Sequence, residues 1–147
     1  MAQLSFHSPV GDITISDEDN ILVSLDWGWS PFSTKTPFLE SIKQRLDHYF
    51  NGENPDIDIP LKLCGTPFQK SIWQEMLKIP YGETMTYGEI AGNIGSHPRA
   101  VGTACGLNPI PIIVPCHRII GKTGKLTGYS GGDGIETKKF LIELEKT

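Results

Sequence analysis

Apolar and polar positions alternate loosely between residues 3 and 29, with the two-residue period of a half-buried β-strand. Turn-forming residues, Gly11-Asp12 and the run 17–20, separate the three apolar segments. This pattern predicts a short antiparallel meander or hairpin.

The spacing becomes helical from residue 36. Thr36 is suited to cap a helix and Pro37 to occupy its first position. The apolar stripe that follows has helical spacing and consists of Phe38, Leu39, Ile42, Leu46, Tyr49 and Phe50. Asn51-Gly52 is expected to end the helix. A polar, proline-containing connection follows at 53–60, and we predict an N-terminal α/β domain over residues 1–64.

The second half, residues 65–147, contains two capping-box patterns, T-P-F-Q at 66–69 and T-Y-G-E at 86–89. The first predicts a helix that ends before Pro80. The second predicts a short helix to about residue 94, with a third helix over 99–107 directly after a glycine-containing break. Two short helices joined in this way are typical of a helix-turn-helix.

The rest of the second half is rich in proline and glycine. Three prolines exclude 108–115 from the centre of a sheet, and we predict a stiff extended arm that leads to Cys116. Residues 121–128 predict a hairpin loop or wing. We expect a flexible hydroxyl-bearing loop at 129–132 and a final helix over 138–145.

Composition limits the class of protein. The chain has 147 residues, of which 38% are apolar, and this suits one ordinary domain or two small ones. Its three cysteines form no CxxC pair, so we expect reduced thiols and neither a zinc site nor any other metal site. Without a secretory signal or a membrane-spanning run, the chain is expected to be cytoplasmic, and nucleoid-associated in a prokaryote.

Charge is divided unequally along the chain. Residues 1–64 carry four basic and ten acidic residues, net −6, whereas 65–147 carry nine and seven, net +2. No acidic residue lies between Glu89 and Asp133, a stretch that contains four lysines and arginines. Such a stretch suits a polyanionic partner, because phosphates attract cations and repel carboxylates. A solvated loop surface without a partner is the alternative.

The third predicted helix is composed mainly of small residues. Ala100, Gly102 and Thr103 leave almost no long polar side chain to reach base edges, and Arg99 stands at the leading end. A helix of this kind suits close approach to a DNA minor groove. Tight packing in a protein core would use small residues equally well, and the two interpretations remain open at this point.

Cys116 lies between apolar residues and two basic neighbours, His117 and Arg118. Cationic groups stabilise the thiolate, and an apolar wall limits competition from water, so this setting predicts a reactive cysteine. A buried cysteine that acts only as a small apolar residue is the alternative.

Six motifs in residues 65–145 resemble the O6-alkylguanine-DNA alkyltransferase family. They occur in the family's order: G-T-P-F-Q at 65–69, I-P-Y-G-E-T at 79–84, R-A-V-G at 99–102, N-P at 108–109, P-C-H-R-I at 115–119 and Y-S-G-G at 129–132. The resemblance implies an α/β protein with a small N-terminal ribonuclease H-like sheet domain. It also implies a C-terminal winged helix-turn-helix domain, over residues 65–147, that binds DNA and accepts the alkyl group.

The resemblance also implies a mechanism. Cys116 would accept the alkyl group irreversibly and once per molecule, and His117, polarised by Glu145, would deprotonate it through a water. Asn108 would brace the turn that holds the cysteine. Tyr87 would donate a hydrogen bond to the departing guanine.

The same resemblance implies how the protein holds DNA. The target nucleotide would swing out of the duplex, and Arg99 would fill the gap. The implied DNA-binding residues are Arg99, Ala100, Gly102 and Thr103. The implied substrate-binding residues are Tyr87, Cys116, Ile119, Tyr129, Ser130 and Met85.

The expected partner is therefore double-stranded DNA that carries O6-alkylguanine, with O4-alkylthymine as an open alternative. We expect a monomer that needs no cofactor and no membrane. Cys64 and Cys105 are expected to be dispensable for the chemistry. Two other classes of protein are weighed against this one: a lesion binder without transfer activity, and a cysteine hydrolase that uses Cys116, His117 and Glu145.

Overall fold

The computed structural model describes residues 1–55, 58–127, 129 and 131–146. The chain divides into two compact units, Met1–Cys64 and Gly65–Thr147. Among the described residues, no helix is both long enough and apolar enough to cross a bilayer.

The first unit is a three-stranded sheet with one helix. Strands β1 (Ala2–Phe6), β2 (Ile13–Glu18) and β3 (Ile21–Trp27) pair antiparallel in the order β1-β2-β3, which confirms the predicted meander. Helix α1 (Pro37–Phe50) packs against β1 and β2. The hydroxyl of Thr36 accepts a hydrogen bond from the Leu39 amide at 3.2 Å, which is the predicted cap.

The second unit is mainly helical. Its elements are α2 (Pro67–Leu77), β4 (Met85–Thr86), α3 (Tyr87–Ile94), α4 (Pro98–Gly106), a 3₁₀ turn (Cys116–Arg118), β5 (Ile119–Ile120) and α5 (Ile135–Glu145). The two short strands pair in parallel, with Met85 opposite Ile119. Helix α5 begins three residues before the predicted start, because Gly134, at φ +66°, provides a non-helical cap directly before Ile135.

Local sequence signals explain how the helix-turn-helix forms. Both predicted capping boxes are present, at the starts of α2 and α3. Gly95 ends α3 in the left-handed conformation, at φ +67°, which only glycine adopts without strain. Helix α4 packs on α2 and α3, and the indole of Trp73 donates a buried 3.0 Å hydrogen bond to the Ala104 carbonyl. The helix-turn-helix is thereby tied to the core of its unit.

One sequence prediction for this unit was wrong. Residues 108–115 are not an extended arm: the Val114 amide donates to the Ile110 carbonyl at 2.9 Å, and the chain folds into a buried turn there. At the predicted hairpin loop or wing, residues 121–127 form a turn in which the Gly121 amide donates to the Lys125 carbonyl at 2.7 Å, and these described residues contain no strand.

Candidate functional site

The turn before Cys116 is braced by one side chain. The Asn108 side-chain amide donates to the Val114 carbonyl at 2.8 Å, and its oxygen accepts from the Ile110 amide at 3.0 Å. Ile112 has a φ of +73°, a conformation that costs about 1–3 kcal/mol in a residue other than glycine. The surrounding contacts keep Ile112 in this strained conformation, and so they fix the position of Cys116 in the 3₁₀ turn.

Glu145, near the end of α5, is the centre of a buried polar network. His117 Nε2 lies 2.5 Å from Glu145 Oε2, and Arg118 Nε donates to Oε1 at 2.7 Å. Arg118 Nη2 donates to Oε2 at 3.2 Å, and the Gly82 amide to Oε1 at 3.3 Å. The His117 side chain is 0% exposed and that of Glu145 is 2% exposed. Four N–H groups therefore converge on one buried carboxylate.

This network selects the tautomer of His117. A carboxylate only accepts hydrogen bonds, so the ring nitrogen that faces it, Nε2, carries the proton. In the neutral ring Nδ1 is then the basic nitrogen. Burial lowers the pKa of His117, and the hydrogen bond and charge of Glu145 oppose that shift. The resting group is a neutral imidazole that can accept a proton.

Cys116 is a buried thiol rather than a stabilised thiolate. Burial raises its pKa, and the opposing influences are a hydrogen bond from Asn108, the charge of Lys138 and two backbone amides. The sequence had indicated Arg118 as a cationic neighbour of the sulfur. Its guanidinium is instead bound to Glu145, and the cation that acts on Cys116 is Lys138. A separate base is therefore needed to activate the sulfur.

Lys138 is the main site residue that the sequence did not reveal. It is 1% exposed, and its Nζ donates to the Thr127 carbonyl at 2.8 Å and to Tyr87 Oη at 3.3 Å. Tyr87 Oη also donates to the Thr127 carbonyl at 2.8 Å. Burial lowers the pKa of Lys138 and raises that of Tyr87 to about 12. Lys138 and Glu145 are seven residues apart, two helical turns on one face, and this spacing could have identified the lysine.

A groove lies beside this cluster. It is lined by Tyr87, Pro98, Arg99, Gly102, Thr103 and Thr127 and has a volume of about 530 Å³. Arg99 and Thr103 are exposed, whereas Ala100 and Gly102 are partly exposed. A Cβ atom added to Gly102 would lie 3.9 Å from the Tyr87 ring, an ordinary van der Waals contact, so this residue lines the groove next to the tyrosine.

The other predicted substrate residues lie around the same 3₁₀ turn. Met85 and Ile119 face each other on β4 and β5, and they place that turn next to the start of α3. Tyr129 is buried, and burial together with the charge of Cys116 raises its pKa. Ser130 lies outside the described residues. Within the described part of the chain, no three His, Cys, Asp or Glu side chains are grouped as metal ligands would be.

Family models match both units. The model described as "6-O-methylguanine DNA methyltransferase, ribonuclease-like domain" matches residues 3–63. The model described as "6-O-methylguanine DNA methyltransferase, DNA binding domain" matches residues 67–147.

Named relatives cover nearly the whole chain. A methylated-DNA–protein-cysteine methyltransferase of Mycobacterium bovis is 48% identical over 150 residues, 95% of this chain and 89% of the relative. The constitutive Bacillus subtilis protein of that name is 41% identical over 152 residues, 95% and 92% of the two chains. The crystal structure of Mycobacterium tuberculosis OGT in complex with DNA superposes with a TM-score of 0.88 at 45% identity, over 99% of this chain and 93% of that chain.

Proposed function

Because the chain belongs to the 6-O-methylguanine DNA methyltransferase family, we propose that it transfers an alkyl group from O6 of guanine in duplex DNA to its own Cys116. It is an α/β DNA-repair methyltransferase that moves an alkyl group from DNA to a protein cysteine, as its relatives' names state.

The first step is activation of the sulfur. His117 Nδ1 takes the thiol proton of Cys116, and a water carries it, because adjacent side chains on a tight turn do not face each other directly. Glu145 holds the ring and stabilises the imidazolium that forms. The neutral resting states of both groups support this step, since neither has to be charged before the substrate arrives.

The second step is transfer. The Cys116 sulfur attacks the alkyl carbon, the S–C bond forms as the C–O6 bond breaks, and that electron pair stays on guanine. Tyr87 supplies a proton to the departing guanine, and Lys138 replaces the proton on Tyr87. Their 3.3 Å contact supports this relay, and solvent later exchanges protons with His117 and Lys138.

DNA binding is proposed at the groove beside α4. Ala100, Gly102 and Thr103 allow close approach of the helix to the minor groove, and Arg99 occupies the stack that the flipped nucleotide leaves. The flipped base is read by the backbone carbonyls of Cys116 and Ile119 and by Ser130. Tyr129 and Met85 would wall the pocket.

Each molecule is proposed to act once. The product is an S-alkyl thioether, which has no carbonyl for water to attack, and a thiolate leaves poorly from an unactivated alkyl carbon. Neither His117 nor Glu145 could then restore the thiol by the hydrolysis that recycles acyl-enzymes.

The observation that carries the proposal is the juxtaposition of a buried thiol with a buried His117–Glu145 pair, beside a groove that Arg99 and Tyr87 line. The test uses duplex DNA with a single O6-methylguanine, and a second duplex with O4-methylthymine. We expect a plateau near one alkyl group per protein and a mass gain of one methylene on the Cys116 peptide. Tight binding without transfer would indicate a lesion binder, and continued turnover would indicate a hydrolase.

We propose that the protein acts as a cytoplasmic monomer on double-stranded DNA. All the chemical groups that the proposed reaction uses lie within the single unit Gly65–Thr147. Light scattering of the free protein and of its complex with a short damaged duplex tests the monomer. A dimer in both states would contradict it.

A further inference from the structure

Arg118 makes more polar contacts than a basic residue that only neighbours Cys116 would need. Besides its two bonds to Glu145, Nη1 donates to the Ile79 carbonyl at 2.7 Å. Its side chain is 12% exposed, and the guanidinium carbon lies 5.9 Å from the centre of the Tyr81 ring. The guanidinium is therefore fixed at both edges and on one face.

Glu145 interacts with two basic groups, the imidazole of His117 and the guanidinium of Arg118, which differ in the charge they carry. His117 must stay neutral to accept a proton, whereas a lone buried carboxylate next to an imidazole favours the imidazolium. A permanently charged guanidinium on the same carboxylate reduces that bias, since arginine does not lose its proton in proteins.

We propose that Arg118 is a positioning residue that fixes the orientation of Glu145 and balances its charge, and so keeps His117 in the neutral tautomer that accepts the Cys116 proton. This inference rests on the proposed function and adds a residue to it. Arg118 does not touch the reacting atoms in this assignment. It acts through Glu145.

The charged groups around His117 are consistent with this role. Burial is the largest influence and lowers the pKa of the imidazole; the hydrogen bond and charge of Glu145 raise it, and the charges of Arg118 and Lys138 lower it further. The Tyr81 side chain lies near Glu145 and Arg118. The Cys116 thiol belongs to the residue directly before His117. Helix α2 also packs against the 3₁₀ turn, but its buried residues, Ile72, Trp73 and Met76, are uncharged.

The test is the pH dependence of a single turnover with O6-benzylguanine, which separates the chemistry from DNA binding. In Arg118→Met, Glu145 loses its counter-charge, so the His117 pKa should rise and the acid limb of the rate profile should move to higher pH. We expect the Arg118→Met rate to fall below wild type on the acid limb, by up to about ten-fold for a shift of about one pKa unit, and to approach the wild-type rate near pH 8.5.

Two further variants keep the test decisive. Arg118→Lys retains the charge and should keep most of the wild-type profile, with a lower rate from its poorer geometry. In Glu145→Gln/Arg118→Met no carboxylate remains to bias the ring, so the shift of the acid limb should disappear. An Arg118→Met rate that falls by the same factor at every pH would overturn the proposal. If Arg118→Met is unfolded, an Arg118→Lys profile displaced as far as one unit would overturn it equally.

Failure of the inference differs from failure of the proposed function. If wild type does not alkylate Cys116 at any pH, the proposed function is wrong. If wild type transfers and the Arg118 variants keep its profile, only the role of Arg118 is wrong. A ring-proton titration of His117 by NMR, in wild type and Arg118→Met, measures the same shift without any substrate.

Discussion

Among the described residues, three histidines lie against carboxylates at nearly equal distances. His7–Asp12 and His48–Glu53, in the first unit, are 2.6 and 2.7 Å apart, and His117–Glu145, in the second, is 2.5 Å apart. The side chains of the first two pairs are between 41% and 82% exposed, whereas those of the third are 0% and 2% exposed. Distance alone therefore does not separate a surface ion pair from a candidate catalytic pair.

Burial changes what the same pair can do. An exposed pair is screened by water and contributes about 0–1 kcal/mol. A buried pair is costly to break, because one charged partner is left without compensation. The exposed histidine pairs join residues five apart in sequence, and His117–Glu145 joins residues 28 apart. The His117–Glu145 pair therefore forms only when its whole unit is folded, and this dependence suits a group that must hold a fixed geometry.

The largest effect should come from Cys116 itself. Cys116→Ser should abolish transfer of the alkyl group, because a neutral hydroxyl in the same site is a far weaker nucleophile. Cys64→Ser, at the exposed cysteine between the units, is the matched control and should keep the wild-type rate. Single-turnover transfer from methylated duplex measures both.

Cys105 provides a stricter control, since it is also buried and its pKa is raised to about 12 by burial. Cys105→Ala should retain transfer if the fold is intact. If Cys105→Ala loses transfer but keeps a native circular dichroism spectrum, the assignment of Cys116 as the acceptor is wrong.

The next largest effect concerns the buried pair directly. Glu145→Gln should slow transfer about 100-fold, because the base loses its orienting group. It should also lower the free energy of unfolding by about 3 kcal/mol, since Arg118 loses its carboxylate. The matched change in the first unit, Glu53→Gln, should cost at most about 0.5 kcal/mol and leave transfer unchanged. Equal effects of the two substitutions, in urea unfolding and in transfer, would remove the distinction between the pairs.

Local signals in the sequence were sufficient for most secondary structure. The caps at Thr36, Thr66 and Thr86 and the glycine at residue 95 act within a few residues, so the starts of α1, α2 and α3 and the end of α3 could be predicted. The turn at 108–115 was mispredicted because prolines exclude a strand but do not specify a fold. Its shape depends on two hydrogen bonds of the Asn108 side chain, one donated to the Val114 carbonyl and one accepted from the Ile110 amide, and residue identity alone does not reveal them.

The candidate site could be predicted only in part for a related reason. Cys116 and His117 stand in a recognisable motif, but Lys138 and the true partner of Arg118 depend on packing between α5 and the 3₁₀ turn. A lysine in a helix is usually a surface residue, and the only sequence signal that places this one on a buried face is its seven-residue spacing from Glu145. Long-range burial is the information that the sequence did not provide.

A smaller effect is expected when one cation is removed from each unit and the rates of transfer are compared. Arg99→Ala should reduce repair of duplex DNA about thirty-fold, equivalent to about 2 kcal/mol of the cost of flipping a base, and should leave reaction with free O6-benzylguanine nearly unchanged. Lys35→Ala removes an exposed cation from the first unit and should change neither reaction. Equal losses on both substrates in Arg99→Ala would rule out a role in the DNA stack.

The smallest effect compares two helix caps of the same chemistry. Thr36→Ala and Thr86→Ala each remove a hydroxyl that accepts an amide N–H at the start of a helix, so each should lower the free energy of unfolding by about 1 kcal/mol. Only Thr86 directly precedes a candidate catalytic residue, Tyr87, whose hydroxyl must reach the Thr127 carbonyl and Lys138. Thr86→Ala should therefore also slow transfer by about three-fold, whereas Thr36→Ala should not. Thr86→Ser keeps the hydrogen-bond acceptor and should restore both quantities, and a three-fold loss in Thr36→Ala would show that cap loss in either unit affects the chemistry equally.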